Sequence, residues 1–245
     1  MFRYALTIEY DGTNFFGWQK QKTHRSVQGE IEAAIKKFSG ETVATQAAGR
    51  TDRGVHARAQ VAHFELSKQW DSFRIKEALN YHLRPNEIAI LEAKQVQKDF
   101  EARFSAKARY YEYIILNRRA PPALERNRVW HVPVELDTDT MSKAARYLIG
   151  EHDFTTFRSI ECQSKSPTKT IDFIDVRREL DHIVINTNAR SFLHHQVRSI
   201  VGSLKLVGQG KWSVKDFKSA LEAKERQRCG SLAPSAGLYL MKIDY

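Results

Sequence analysis

The chain has 245 residues, of which 42% are hydrophobic and 28% charged, as in ordinary globular proteins that bury a sizeable core. Lysine and arginine total 39 against 29 acidic residues, giving a formal net charge of +10, which favours a polyanionic partner such as nucleic acid. The two cysteines, Cys162 and Cys229, argue against a disulfide framework, and no apolar run reaches the roughly 20 residues that span a bilayer. We therefore expect a cytoplasmic protein without a membrane segment.

The first half of the sequence predicts the order strand, helix, two strands, helix, strand. Strict alternation of apolar and polar side chains marks the first strand, and apolar residues at helical spacing mark the first helix. Ser26 is its expected N-cap, and Gly40 follows its end. The expected ranges are a strand over 2–10, a helix over 27–38, strands over 43–48 and 58–66, a helix from about 72, and a strand near 88–91.

The second half repeats a similar order, with an irregular excursion over 117–127, which contains Pro121 and Pro122, after its first strand. Ser213 and Asp216 have the spacing of a capping box, which predicts a short helix after the long one. The expected ranges are a strand over 109–116, a helix over 139–149, a hairpin over 171–178 and 182–188, a long helix over 191–208, a short helix from about 214, and a final strand over 237–245.

This order of elements predicts an α+β fold. We expect two related lobes with a cleft between them, each a largely antiparallel sheet with helices packed on one face. The N-terminal lobe is expected over 1–104 and the C-terminal lobe over 105–245. No internal sequence repeat supports a duplication, so the relation between the lobes rests on the pattern of elements alone.

One short loop carries an unusual arrangement of charge. Asp52 stands between Arg50 and Arg53, and the loop is bounded by Gly49 and Gly54. Glycines permit the positive φ values of a tight turn, so this loop between two strands is expected to present its tip on a rigid base. Taken alone, a turn aspartate paired with surface arginines is the commoner explanation, since exposed ion pairs are common and contribute little.

Three other kinds of site lack support. The histidines at 194 and 195 have no metal-binding spacing, and neighbours on a helix point about 100° apart, so they make a poor chelate. The sequence GQGKWS places Trp212 where a phosphate loop needs Ser or Thr. No nucleophilic serine or cysteine has a recognisable local partner. We therefore predict no metal and no nucleotide cofactor.

The remaining candidates are aromatic and basic residues whose roles the pattern leaves open. Loop aromatics beside Lys20 and Lys22 suit either stacking on bases or packing on the core. Arg198 follows an apolar helix face, so it is expected to be partly buried and to need an anion, for which Asp52 is a candidate. Tyrosines in the strand after residue 108 are ordinarily core residues. The aromatic candidates are Phe15, Phe16, Trp18, Tyr110, Tyr111 and Tyr113.

Seven segments of the chain, in order, resemble the signature segments of bacterial tRNA pseudouridine synthase A, the TruA family. The central one, AAGRTDRGVHA, is highly specific, and the ordered set covers nearly the whole chain. The segments are EYDGTNFFGWQKQ, SVQGEIEAAI, AAGRTDRGVHA, FSAKARYYEYII, DFTTFR, FLHHQVRSIVGSL and GLYL.

The resemblance implies an enzyme that isomerises uridines 38, 39 and 40 in the anticodon stem-loop of tRNA, as a homodimer and without a metal or organic cofactor. It assigns Asp52 as the catalytic carboxylate and Arg50 to RNA binding and base extrusion. It assigns Tyr111 to stacking on the target uracil and Arg198 to an ion pair with the aspartate. Arg53 stands where the family pattern is variable, with a small residue common, so no role is carried to it.

Two other functions stay open from the residues. A non-catalytic tRNA-binding or folding protein on the same scaffold would share the charge and the signature segments, although an altered aspartate or tyrosine would be its expected sign. An RNA hydrolase using Asp52 with a metal would need a second carboxylate, which the loop lacks. Activity that is insensitive to a chelator would exclude the hydrolase.

Overall fold

The computed structural model describes residues 1–245, which form two compact units. The first unit contains Met1–Lys107 and Tyr239–Tyr245, and the second contains Ala108–Leu238. Each unit has its own mixed, largely antiparallel set of strands together with helices. The α+β class expected from the sequence is therefore confirmed.

The first unit is built on three long antiparallel strands. β1 pairs with β3 on one side and with β4 on the other, and the short β2 pairs with β3. Helices α1 and α2 pack against each other, and α2 packs on β4. The elements are β1 (Phe2–Tyr10), α1 (Val27–Ser39), β2 (Gln46–Ala47), β3 (His56–Leu66), α2 (Ser72–Leu83), β4 (Ile88–Val96) and β10 (Leu238–Asp244).

Local sequence explains the form of these elements. On β1 the alternating apolar side chains are buried from Tyr4 onward, as the pattern predicts. Ser26 caps α1 by accepting a hydrogen bond from the Gly29 N–H, and Gly40 ends it in the left-handed region, with φ of 79°. Of the strand expected over 43–48, only Gln46 and Ala47 pair.

The last strand belongs to the first unit. Tyr239 and Leu240 of β10 pair in parallel with His56 and Ala57 of β3. The sequence-based division places residues 239–245 in the C-terminal lobe, whereas the structure returns them to the N-terminal unit. A pairing between residues so distant in the chain leaves no local pattern, so contiguous ranges could not reveal it.

The second unit contains a meander of antiparallel strands with helices beside it. β5 pairs with β9, β9 with β8, and β8 with β7, while the short β6 runs parallel to β5. Helix α3 packs on β8 and against α4 and α5. The elements are β5 (Ala108–Leu116), β6 (Trp130–His131), α3 (Thr138–Ala145), β7 (Gly150–Asp153), β8 (Thr168–Glu179), β9 (His182–Ala189), α4 (Gln196–Gly208) and α5 (Val214–Ala223).

Two expectations for this unit need correction. The helix expected over 191–208 begins only at Gln196, because His195 has a left-handed backbone with φ of 64° that interrupts the helical run. The helix expected over 139–149 ends at Ala145 and continues as a single 3₁₀ turn. None of the helices is long and apolar enough to cross a membrane.

Candidate active site

The backbone on both sides of Asp52 is fixed by hydrogen bonds. Thr51 is 6% exposed, and its hydroxyl shares a 2.7 Å hydrogen bond with the phenol of Tyr10. The Thr51 carbonyl accepts from the Trp18 N–H at 3.0 Å, and the Asp52 carbonyl accepts from the Val55 N–H at 3.1 Å. The Asp52 side chain itself is half-buried. The loop therefore holds the backbone beside this carboxylate on a rigid base, as the sequence predicts.

The segment 12–17 lies directly against the backbone of the Asp52 loop, with a glycine at each point of close approach. A Cβ atom placed on Gly17 would lie 2.6 Å from the Thr51 carbonyl oxygen, and one on Gly12 would lie 2.0 Å from the Val55 carbonyl oxygen. Real Cβ atoms do not approach backbone oxygen so closely, so both glycines are required for the two segments to touch. Gly17 also has a φ of 83°. The EYDGTNFFGW segment thus forms the floor of the Asp52 loop.

The loop aromatics divide between the two roles that the sequence left open. Phe15 and Trp18 are each 1% exposed and pack in the core of the first unit. Phe16 stays half-buried, and the guanidinium of Arg53 lies over its ring at 4.1 Å from the centroid. Arg50, which precedes Asp52 by two residues, is exposed. Core packing therefore explains two of the three aromatics, and Phe16 remains at the surface with an arginine on it.

Tyr111 and Tyr113 lie on the same strand, β5, but have different surroundings. Tyr111 stands opposite Thr187 of β9, is half-buried, and meets the edge of the Phe192 ring at 5.3 Å. Tyr113 is fully buried, and its hydroxyl donates to the Pro234 carbonyl at 2.7 Å. Burial raises the pKa of Tyr113, although the positive charge of Arg198 acts in the opposite direction. Tyr113 is thus a core residue, whereas Tyr110 and Tyr111 are half-buried.

Arg198 is held on α4 by a neighbouring segment of the chain. Its Nε donates to the Ala233 carbonyl at 2.8 Å, and the Ala233 N–H donates back to the Arg198 carbonyl at 3.2 Å. A Cβ on Gly202 would lie 1.8 Å from the Ser231 carbonyl oxygen, so the glycine lets this segment lie directly on the helix. The Arg198 side chain is half-buried, as its position beside an apolar helix face predicts.

The histidine pair lies before α4 rather than on it. His195 is the N-cap residue with a left-handed backbone, and the rings of His194 and His195 are 3.9 Å apart between centroids. The expectation that they point about 100° apart on a helix is therefore wrong, because the chain turns between them. Gln196 stabilises this turn, since its side-chain carbonyl accepts from the Leu193 N–H at 2.8 Å.

The sequence matches a family model described as tRNA pseudouridine synthase over residues 6–105 and 144–245. The chain belongs to the tRNA pseudouridine synthase family. The matched residues include the Asp52 loop and all of α4 with Arg198; the strand that carries Tyr111 lies between the two matched ranges.

Full-length relatives support the same family membership. A protein of Bradyrhizobium sp. strain BTAi1 is 57% identical over 243 residues, and one of Bradyrhizobium diazoefficiens is also 57% identical over 243 residues. A protein of Xanthobacter autotrophicus is 54% identical over 243 residues. In each case the alignment covers 99% of this chain and 99% of the relative, and each relative is named tRNA pseudouridine synthase A. The family resemblance expected from the signature segments is confirmed.

The contacts that fix the Asp52 loop and Arg198 were not identified from the sequence. Thr51 and Tyr10 fix the loop backbone, and the segment around Ala233 fixes Arg198. Glycines inside otherwise regular segments were the available signal, because Gly202 interrupts a helical pattern and Gly17 lies among aromatics. The contacts that they permit join distant parts of the chain, so the sequence could indicate a close approach but not its partner.

Proposed function

We propose that this protein isomerises uridines 38, 39 and 40 in the anticodon stem-loop of tRNA to pseudouridine, with Asp52 as the catalytic carboxylate. The proposal is supported by a half-exposed carboxylate, within the GRTDRGVHA segment, on a loop whose backbone is fixed from both sides. Membership of the tRNA pseudouridine synthase family supplies the reaction class. The uridine positions and the residue roles come from the resemblance to the TruA family.

The reaction sets clear demands on the site. The bond from N1 of uracil to C1′ of the ribose breaks, the base rotates, and a new bond forms from C5 to C1′. The C5 hydrogen leaves as a proton and N1 gains one, so no atoms are added and no redox partner is consumed. A carboxylate can serve as a nucleophile at C1′ or C6, or as a base at C2′. Each of these roles requires Asp52 to be ionised.

The other signature residues meet the remaining demands. A base in a folded RNA must be extruded before it can react, and exposed Arg50 is assigned to the RNA and to the gap that the base leaves. The ring of Tyr111, which is half-buried, is assigned to stacking on the uracil, which must stay bound while it is detached. Arg198 is assigned as the ion-pair partner of Asp52, since a guanidinium favours the ionised carboxylate.

The proposed assembly is a homodimer with tRNA as its partner. The net charge of +10 supports binding to a polyanion, whereas the dimer rests on the family resemblance alone. Sedimentation velocity at micromolar protein should give a mass near twice the 28.3 kDa of one chain. A single species at the monomer mass across that range would contradict the dimer and leave the proposed chemistry intact.

The substitution Asp52→Asn tests the role of the carboxylate. It preserves size and removes the charge, so isomerisation should be abolished while tRNA binding stays within a few-fold of wild type. Tritium release from tRNA labelled at C5 of uridine reports the loss of the C5 hydrogen, and filter binding reports affinity. Glu9→Gln is a matched control, because it neutralises an exposed carboxylate of the same unit. Turnover retained by Asp52→Asn would refute the assignment.

A further inference from the structure

The loop that supports Asp52 carries an exposed column of three side chains. The Arg53 guanidinium lies over the Phe16 ring at 4.1 Å, and the His24 ring lies 4.0 Å from Phe16 between centroids. Arg53 and His24 are exposed, and Phe16 is half-buried. The proposed reaction uses none of the three, and Arg53 directly follows Asp52 in the chain.

Arg53 has no acidic partner, although carboxylates lie on the adjoining helix. Glu30 pairs with Arg25 at 3.0 Å, and Glu32 pairs with Lys20 at 2.9 Å. These pairs leave the aromatic ring of Phe16 as the contact of the Arg53 guanidinium. A guanidinium that is exposed, unpaired and stacked is held in place while its N–H groups remain available.

The geometry points to a phosphate ligand. The Arg53 guanidinium lies over the Phe16 ring at 4.1 Å from the centroid and the residue is exposed, so its N–H groups are accessible to a ligand. A guanidinium presents parallel N–H groups that match two oxygens of a phosphodiester. We infer that Arg53 binds a backbone phosphate of the tRNA close to the nucleotide that reacts at Asp52, with Phe16 holding the guanidinium in a fixed orientation.

This inference rests on the proposed function, because the phosphate belongs to the tRNA substrate. Arg53 is a binding residue of this chain, and Phe16 is a positioning residue that acts through it.

The salt dependence of tRNA binding tests the phosphate contact. Each phosphate contact contributes about 0.7 to 0.9 to the slope of log Kd against log salt concentration. Arg53→Gln should reduce the slope by about that amount and weaken binding about five- to tenfold near 0.1 M salt. Arg74→Gln is the matched control, because Arg74 is an exposed arginine of the same unit, on α2. The control should leave the slope unchanged.

Steady-state kinetics separates binding from a purely structural role. If Arg53 contacts the phosphate equally in the bound complex and in the transition state, its loss in Arg53→Gln should raise KM and leave kcat within about twofold of wild type. Arg53→Lys keeps the charge and should keep the slope, and Phe16→Leu should weaken binding two- to threefold with the slope unchanged. Circular dichroism melts of all four variants establish that they are folded.

Three results would overturn the inference: a slope for Arg53→Gln equal to wild type, an equal loss of slope in Arg74→Gln, or a lower kcat with an unchanged KM. If wild type binds tRNA without turnover, the proposed function fails. The slope is measured on binding alone, so that failure is distinguishable from a failure of the Arg53 contact.

Discussion

Thr51 and Asp52 are neighbours that differ in burial: Thr51 is buried, whereas Asp52 is half-buried. Thr51 is buried and hydrogen-bonded to Tyr10, whereas the Asp52 side chain reaches the surface of its unit. The sequence predicted the carboxylate from its motif. It gave no sign of the Tyr10 hydroxyl that fixes the preceding residue, because that contact joins β1 to a loop about forty residues later.

Substitutions of Tyr111 test whether the proposed reaction needs a flat ring that stacks on the uracil. Base stacking on an aromatic side chain contributes about 1–3 kcal/mol, so Tyr111→Ala should reduce turnover about 5- to 150-fold. Tyr111→Phe keeps the ring and should stay within a few-fold of wild type in the tritium-release assay. Tyr81→Ala is the control, because Tyr81 is an exposed tyrosine on α2 that the proposed reaction does not use. Equal losses in Tyr111→Phe and Tyr111→Ala would contradict a stacking role.

Helix α4 carries Arg198, and the segment 230–233, which lies across the helix, fixes the Arg198 side chain. The segment lies on the helix because Gly202 has no side chain, and Ala233 bonds to Arg198 through both its N–H and its carbonyl. The Gly230 N–H adds a hydrogen bond to the Ser203 hydroxyl at 2.9 Å. Arg198 is therefore oriented by packing that extends over two turns of the helix.

Gly202→Ala should separate this segment from the helix. The added Cβ would meet the Ser231 carbonyl oxygen at 1.8 Å, so the backbone must shift. We expect a loss of about 1–3 kcal/mol in the free energy of unfolding, as for other overpacked sites. Urea denaturation measures this loss. Turnover should also fall under conditions in which the variant is fully folded, because Arg198 loses the hydrogen bonds to Ala233 that orient it.

Gly29→Ala on α1 is the control for this substitution. Its Cβ would lie 3.1 Å from the Ser26 hydroxyl oxygen and 3.8 Å from Lys20 Cγ, so it meets side-chain atoms and no backbone oxygen. Helix propensity favours alanine over glycine by about 1 kcal/mol, so this variant should be as stable as wild type or more so. Wild-type stability and turnover in Gly202→Ala would show that the close contact is unimportant.

Sequence patterns predicted the features of helices and strands that have local causes, and they misplaced the start of α4. Caps at Ser26 and Ser213 and the alternation on β1 were readable because their causes are local. The start of α4 was placed too early because Leu193 continues the apolar phase of the helix. The left-handed backbone at His195 breaks the helix with neither glycine nor proline to mark it.

The excess of basic residues over the whole chain supports an electrostatic contribution to tRNA binding. Each neutralised phosphate releases counterions, so affinity falls steeply as salt rises. We expect Kd to rise at least about 50-fold between 50 and 200 mM salt, which corresponds to a slope of about 3. Filter binding with one tRNA across a salt series measures the slope. A change of less than threefold would contradict this expectation.

The division into units was only partly readable from the sequence. The change near residue 107 follows a shift in the pattern of elements, so a boundary close to it could be placed. The return of Tyr239–Tyr245 to the first unit depends on parallel pairing with β3, which no local pattern encodes. Residue identity therefore indicated the class of fold and the candidate loop, while long-range pairing had to come from the structure.

Mapping the modified nucleotides shows whether this protein forms pseudouridine at positions 38, 39 and 40 of tRNA. An unmodified tRNA transcript with uridines at positions 38, 39 and 40 is incubated with wild type or Asp52→Asn in EDTA-containing buffer. Carbodiimide labelling and primer extension then locate pseudouridine. We expect stops at those positions with wild type alone, and none when they are replaced by cytidine. Tight binding by wild type without any stop would contradict the account and favour a non-catalytic tRNA-binding protein.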